Sequence, residues 1–145
     1  MTTAIRPTTA DILSRPILRS VGAIVAALLA NVVLSGVVDE IFHLLGVFPP
    51  WGQVSYATLP FALAFSYRVI FGILSGYIAA RLAPLAPMRH ASILGVVGIV
   101  LSTAGAIASI VGNLGPAWYA ILLVAVALPS ARFGGRLYVR RAAAN

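Results

Sequence analysis

Hydrophobic positions gather into four long stretches along this chain, at about 21–38, 61–80, 91–111 and 117–133, and polar residues are confined largely to the segments between them. Each stretch approaches the ~20 residues that a helix rising ~1.5 Å per residue needs to cross hydrocarbon. Runs of this length, apolar on every face, are too long for buried strands and too uniform for amphipathic surface helices. The pattern predicts an all-α fold, a transmembrane four-helix bundle. Residues 1–145 form one integral membrane domain, with spans at about 20–45, 58–82, 91–112 and 116–133 and tails at 1–19 and 134–145.

The arginines orient the bundle. Arg6, Arg15 and Arg19 precede the first stretch, Arg81 and Arg89 separate the second from the third, and Arg132, Arg136, Arg140 and Arg141 close the chain. The alternate loops, 41–60 and 112–116, carry no Lys or Arg. Basic residues stay on the cytoplasmic side of membrane helices, so both termini and the 81–90 loop are expected inside (N-in/C-in).

Composition narrows the class further. A chain that is 61% hydrophobic and 9% charged has no length left for a separate soluble domain. Its net charge of +7 would suggest nucleic acid in a soluble protein, but these arginines set topology, and no nucleic-acid partner is expected. The absence of cysteine excludes disulfides, thiol catalysis and iron–sulfur ligation. The first stretch follows a basic leader but is longer than a signal-peptide core and lacks a small-x-small cleavage site, so it is expected to be retained. Basic residues that are all arginine fit a high-GC bacterial genome, which makes a multi-pass protein of the bacterial inner (plasma) membrane the expected setting.

Small residues mark the packing faces, because helices in lipid associate through close contact rather than hydrophobic exclusion. Gly95, Gly98, Ser102, Gly105, Ser109 and Gly112 recur at alternating steps of three and four, a seam that suits left-handed crossing. Ala117, Ala120, Val124, Ala127, Ala131 and Gly134 offer a matching seam on the fourth span, and the short turn Asn113-Leu114-Gly115-Pro116 predicts a tight antiparallel hairpin of spans three and four. Pro129 is expected to kink or end the fourth helix, leaving the arginine-rich tail along the inner leaflet, where anionic lipid would attract it. Spans one and two carry rows at spacing four, including Gly72 and Gly76, which mark a neighbour within the bundle or a homodimer face. Gly46 is expected to end the first helix in the left-handed conformation. Phe48, Trp51, Tyr56, Trp118 and Tyr119 are expected at headgroup level.

Arg68 breaks the charge partition. Counting from Arg81 places it ~20 Å into the membrane, while Asp39 and Glu40 fall ~30 Å from Arg19, at the opposite boundary. Arg68 either pairs with Asp39 or Glu40, or snorkels to the outer headgroups. Asn31, Ser35, Asp39, Glu40, His43, Arg68 and Ser75 together form a candidate outward-opening polar pocket or ion-pair site. Asp39, Glu40 and His43 would be awkward metal ligands, all from one helix end, and neither a metal nor another cofactor is expected. His90 is expected in a solvated or headgroup-contacting position.

The phrase GYIAARLAP at residues 76–84, then Arg89-His90-Ala91, Gly115-Pro116-Ala117-Trp118-Tyr119, Leu128-Pro129 and Gly134-Gly135-Arg136-Leu137, resembles a loose group of small bacterial four-helix membrane proteins. That resemblance implies a fold and a location, and no site residue. Small multidrug-resistance exporters use a membrane-embedded Glu in the first span, where this chain has Asn31. The leading expectation is a non-catalytic membrane protein with a structural, accessory or lipid-interacting role, working with membrane lipids and as a homo-oligomer or beside a membrane-protein partner. The alternative is a small transporter or channel-like protein whose Arg68 draws an anionic solute from outside. A third is a membrane enzyme with Glu40 or His43 as base.

Overall fold

The computed structural model describes residues 9–144, with side chains from residue 16 onward. Four helices follow in order: α1 (Thr9–Leu44), α2 (Thr58–Leu82), α3 (Pro87–Val111) and α4 (Ala117–Ala143). All four are long and apolar enough to cross a membrane, and the chain is a multi-pass membrane protein. Short connections force an up-and-down path. Arg19, Arg81, Arg89 and the arginines of α4 therefore gather at one end, the basic end, and the α1–α2 linker and the α3–α4 turn lie at the other, the linker end.

Local chemistry explains the helix limits. Gly46 ends α1 with φ +70°, and Gly46 N–H and Val47 N–H donate to the carbonyls of His43 (3.1 Å) and Phe42 (2.9 Å), capping the last turn. Asn113, at φ +51°, does the same for α3, with Asn113 N–H and Leu114 N–H donating to Ile110 (3.2 Å) and Ser109 (2.9 Å). Its short side chain tolerates a backbone that most residues avoid. Pro84 blocks continuation of α2, and Pro87 opens α3 where a missing N–H costs nothing.

Helix α4 does not end near Pro129; it runs on to Ala143, and α1 starts at Thr9 rather than near residue 20. The first eight residues of the expected tail lie outside the described residues. The Gly134-Gly135 pair does not terminate α4 because both glycines are packing positions. A Cβ on Gly134 would run into the Ile73 carbonyl of α2, and one on Gly135 would sit 2.6 Å from the Ala91 Cβ of α3. Residues 134–143 thus continue α4 instead of forming a separate tail.

The closest helix crossing joins α2 to α4. A Cβ on Gly76 would collide with the Ala131 backbone, and one on Gly72 would lie 2.7 Å from Ser130 Oγ. Gly72 and Gly76 therefore face α4, within the bundle. Helices α3 and α4 pack as an antiparallel hairpin, but the glycine seam is used unevenly. Gly95 meets Leu128 and Ala131, Gly98 meets Ala127, and Gly105 faces open space. Helix α1 packs mainly on α2, less on α3, and does not touch α4 among the described residues.

Burial follows from these crossings. Ala27, Ala79, Leu94 and Ala131 form a core toward the basic end, with Ile24, Leu28 and Ile78 against it. Among the described residues, none of α1 beyond Ala27 and none of α3 beyond Gly95 is buried. At the linker end Phe48, Ala64, Pro116 and Ala120 are buried, so closure returns there through α2, α4 and the linker. Between the two closed zones the helices border an open space that reaches the bundle's exterior at Val32 on α1.

Overpacking at a close crossing typically costs ~1–3 kcal/mol, so Gly134→Ala and Gly76→Ala should lower stability by at least that amount. Gly105→Ala, with nothing near its new methyl, should stay within ~0.5 kcal/mol of the parent. Reversible unfolding in detergent, comparing the three variants, measures the difference.

Candidate functional site

Two cavities stack along the bundle axis. The larger, about 480 Å³, is bordered by all four helices, from Leu28 to Asp39 on α1, Arg68 to Ser75 on α2, Leu94 to Ser102 on α3 and Leu123 to Ala131 on α4. The smaller, about 290 Å³, lies at the linker end beneath Phe48, Trp51 and Gln53 and reaches Phe61 and Tyr119. Asp39 and Arg68 border both.

These two residues form an ion pair. Arg68 Nη2 donates to Asp39 Oδ2 at 2.6 Å, and the Tyr67 hydroxyl donates to Asp39 Oδ1, so both carboxylate oxygens are engaged. The guanidinium carbon lies 5.7 Å from the Tyr67 ring centre and 5.8 Å from that of Tyr119, within cation–π range of both. With side chains 29% and 20% exposed, the charges are partly shielded and partly reachable from the cavities. Asp39, not Glu40, is thus the partner of Arg68. Helix geometry separates neighbours at 39 and 40 by ~100°, so one turns inward and the other out.

Asn31, Ser35 and Ser75 line the larger cavity. Ser35 Oγ donates to Asn31 Oδ1 across one helical turn at 3.4 Å. Ser75 is 2% exposed, and its Oγ has no hydrogen-bond partner. A buried hydroxyl left unpaired is costly, and a polar group in the cavity would relieve it only if the side chain turned toward that space. Ser102 and Ser130 complete the ring of hydroxyls. Ser102 donates to the Gly98 carbonyl at 2.6 Å and Ser130 to the Val126 carbonyl at 2.7 Å, so their oxygens retain acceptor capacity toward the cavity. Spacing along the sequence marks Ser102 for packing alone and does not single out Ser130, Tyr67 or Tyr119 for the site. A signal exists for the serines, which are polar residues well inside apolar spans.

Glu40 and His43 belong to the rim. Exposed Glu40 accepts a hydrogen bond from Trp51 Nε1 at 3.3 Å. His43 borders the smaller cavity, donates from Nδ1 to the Asp39 carbonyl at 2.7 Å and stacks on Trp51 with ring centres 3.9 Å apart. Phe48 is buried against Phe42 and His43, because the turn after Gly46 folds it back on α1. Tyr119 is drawn inward too, against Phe61 and Arg68, and its hydroxyl is buried without a partner. Tyr56 donates to the Asn113 carbonyl at 3.0 Å, tying the linker to the α3–α4 turn.

His90 is buried at the basic end, 7% exposed, with Nδ1 3.3 Å from the Ala86 carbonyl. It is a packed helix-start residue rather than a solvated one, since the left-handed Ala86 turn directs that carbonyl back over α3. Ser109 and Gly112 lie near the α3–α4 turn, away from both cavities.

Replacing Asp39 alone leaves a guanidinium unpaired inside the bundle, while replacing both partners leaves none. Asp39→Asn should therefore destabilise the protein by ~1–3 kcal/mol, and Asp39→Asn with Arg68→Gln by less than that single change. Denaturation of the two variants and the parent in one detergent supplies the comparison.

No protein-family model matches the chain, and no curated protein or solved structure is detectably similar to it.

Proposed function

We propose that this chain is a small transporter or channel-like protein of the bacterial inner membrane that admits a small polar solute from outside into its central cavity. The observation that carries this is the convergence of Asn31, Ser35, Arg68, Ser75, Ser102 and Ser130, from all four helices, on one cavity of about 480 Å³. Cavities of this size, with a few placed polar groups on mostly apolar walls, suit small-molecule ligands. The arginine partition supports cytoplasmic termini, which would turn the linker end and its vestibule outward.

The ion pair alters the expected charge preference. Arg68 is neutralised by Asp39 at 2.6 Å, so the cavity mouth offers no excess positive charge to collect anions. The hydroxyls of Ser102 and Ser130 are committed to their own helix carbonyls, which favours binding and passage over nucleophilic chemistry. Membrane lipids, with anionic headgroups at the arginine-rich end, are the expected surroundings.

The chain has no native cysteine, so single reporters can be placed cleanly. Ser35→Cys and Ser102→Cys, in whole cells treated from outside with a membrane-impermeant thiol reagent, should label readily. Ile121→Cys, on a face 58% exposed in the isolated bundle and turned to lipid, should not. Protection of both cavity positions in folded protein would favour a dry bundle with a structural or accessory role.

A further inference from the structure

We propose that the Asp39–Arg68 pair selects the solute, and that the solute is a small zwitterion carrying one cationic and one anionic group. This rests on the cavity being a solute site, as proposed above. Among the described residues, Asp39 and Arg68 are the two that border both the vestibule and the central cavity, so the pair forms the floor of one and the roof of the other. A solute lying across the two compartments meets the point where guanidinium and carboxylate join at 2.6 Å.

Charge bookkeeping then discriminates among solutes. A cation that engages Asp39 displaces Arg68 and leaves a guanidinium unpaired within the bundle, and an anion on Arg68 strands the carboxylate. Either outcome carries the penalty of an isolated charge away from water. A neutral polar solute offers neither charge a replacement partner, so it can enter the space but is not held at the pair. A zwitterion replaces both at once, its carboxylate on Arg68 and its cation on Asp39, so no charge is left alone. Specificity arises because the other classes meet an unpaired charge, not because they lack contacts.

Further features fit this exchange. Each compartment has a bordering residue whose hydroxyl is buried with no partner among the described residues, Tyr119 at the vestibule and Ser75 at the central cavity, and rotation of either side chain would turn that hydroxyl toward a solute. The Tyr67 and Tyr119 rings flank the Arg68 guanidinium and would hold it in place once Asp39 is occupied elsewhere. Apart from the pair, the central cavity offers hydroxyls, an amide and apolar wall, with no third charge to bias the balance.

The test uses the full chain carrying Ser102→Cys, purified in detergent, with alkylation of the introduced thiol by neutral iodoacetamide as the readout. Glycine, alanine, 4-aminobutanoate and trimethylglycine are compared with propionate and ethylammonium at equal concentration and ionic strength. At ten times its dissociation constant, a zwitterion that occupies the cavity should slow alkylation about tenfold. Propionate and ethylammonium should leave the rate unchanged. Protection should disappear when Asp39→Asn and Arg68→Gln are introduced together, a combination that strands no charge, with a monodisperse gel-filtration peak as the control for folding. Protection by propionate or ethylammonium equal to that by the zwitterions, or protection by none of the four zwitterions while the introduced thiol still alkylates, overturns the selection proposal and leaves the cavity standing. Failure of that thiol to alkylate in folded protein overturns the cavity itself, and the selection proposal with it.

Discussion

Backbone contact between α2 and α4 sets the shape of the whole bundle. At Gly76 and Gly134 each helix presses on the other's main chain, an approach that any side chain would prevent. Helices in lipid lack the hydrophobic force that collapses a soluble core, so a contact this close supplies the packing that holds them. This crossing lies toward the basic end. The core of Ala27, Ala79, Leu94 and Ala131 sits at that level because the small residues are there. The open cavity lies farther along, between this crossing and the Phe61–Tyr119 contact at the linker end.

The ion pair acts where packing gives out. Helix α1 has no buried residue beyond Ala27, yet it must stay with α2 for a further dozen residues or so. Asp39 and Arg68 join the two helices near the far end, reinforced by Tyr67 on the same carboxylate. A charged clasp in a membrane protein is expensive unless both charges are paired and hydrogen-bonded, as these are. It differs from a glycine contact in one respect that matters for function. A dry contact between backbones opens only by unpacking, whereas an ion pair exchanges partners whenever another pair of charges is offered in its place.

Sequence alone is informative where the controlling property is local. Span positions follow from summed hydropathy, and the grouping of nine arginines at alternate segments follows from counting. Asn31, Ser35 and Asp39 share a face because four residues is near one turn, and all three do line the central cavity. Non-local properties are hidden. Spacing tells which face of α2 carries Gly72 and Gly76 but not which helix meets that face, and the neighbour is α4 rather than α1. Tyr67 is unreadable because adjacent helix positions diverge by ~100°, yet its long phenol reaches the same carboxylate as Arg68. Pro129 and the Gly134-Gly135 pair look like punctuation. They lie instead inside a helix whose close packing outweighs its weak local preference.

The lining of the central cavity bears on why the space exists. Protein interiors fill to high density, and an unfilled void loses the dispersion contacts that its walls would otherwise make. A bundle selected only for stability would place Leu or Ile at more of these positions. Here Gly72, Ser75, Gly98, Ser102 and Ser130 face the space, all short, and the longer polar residues on its border, Asn31, Asp39 and Arg68, include both members of the ion pair. Gly72 and Gly98 are accounted for by the approach of α4. Ser75 is not, because its hydroxyl has no partner and an alanine would pack as well without the desolvation cost. An unpaired hydroxyl at the border of that space, about two helical turns from a paired charge, is a cost to the empty bundle that an occupant meeting it would remove.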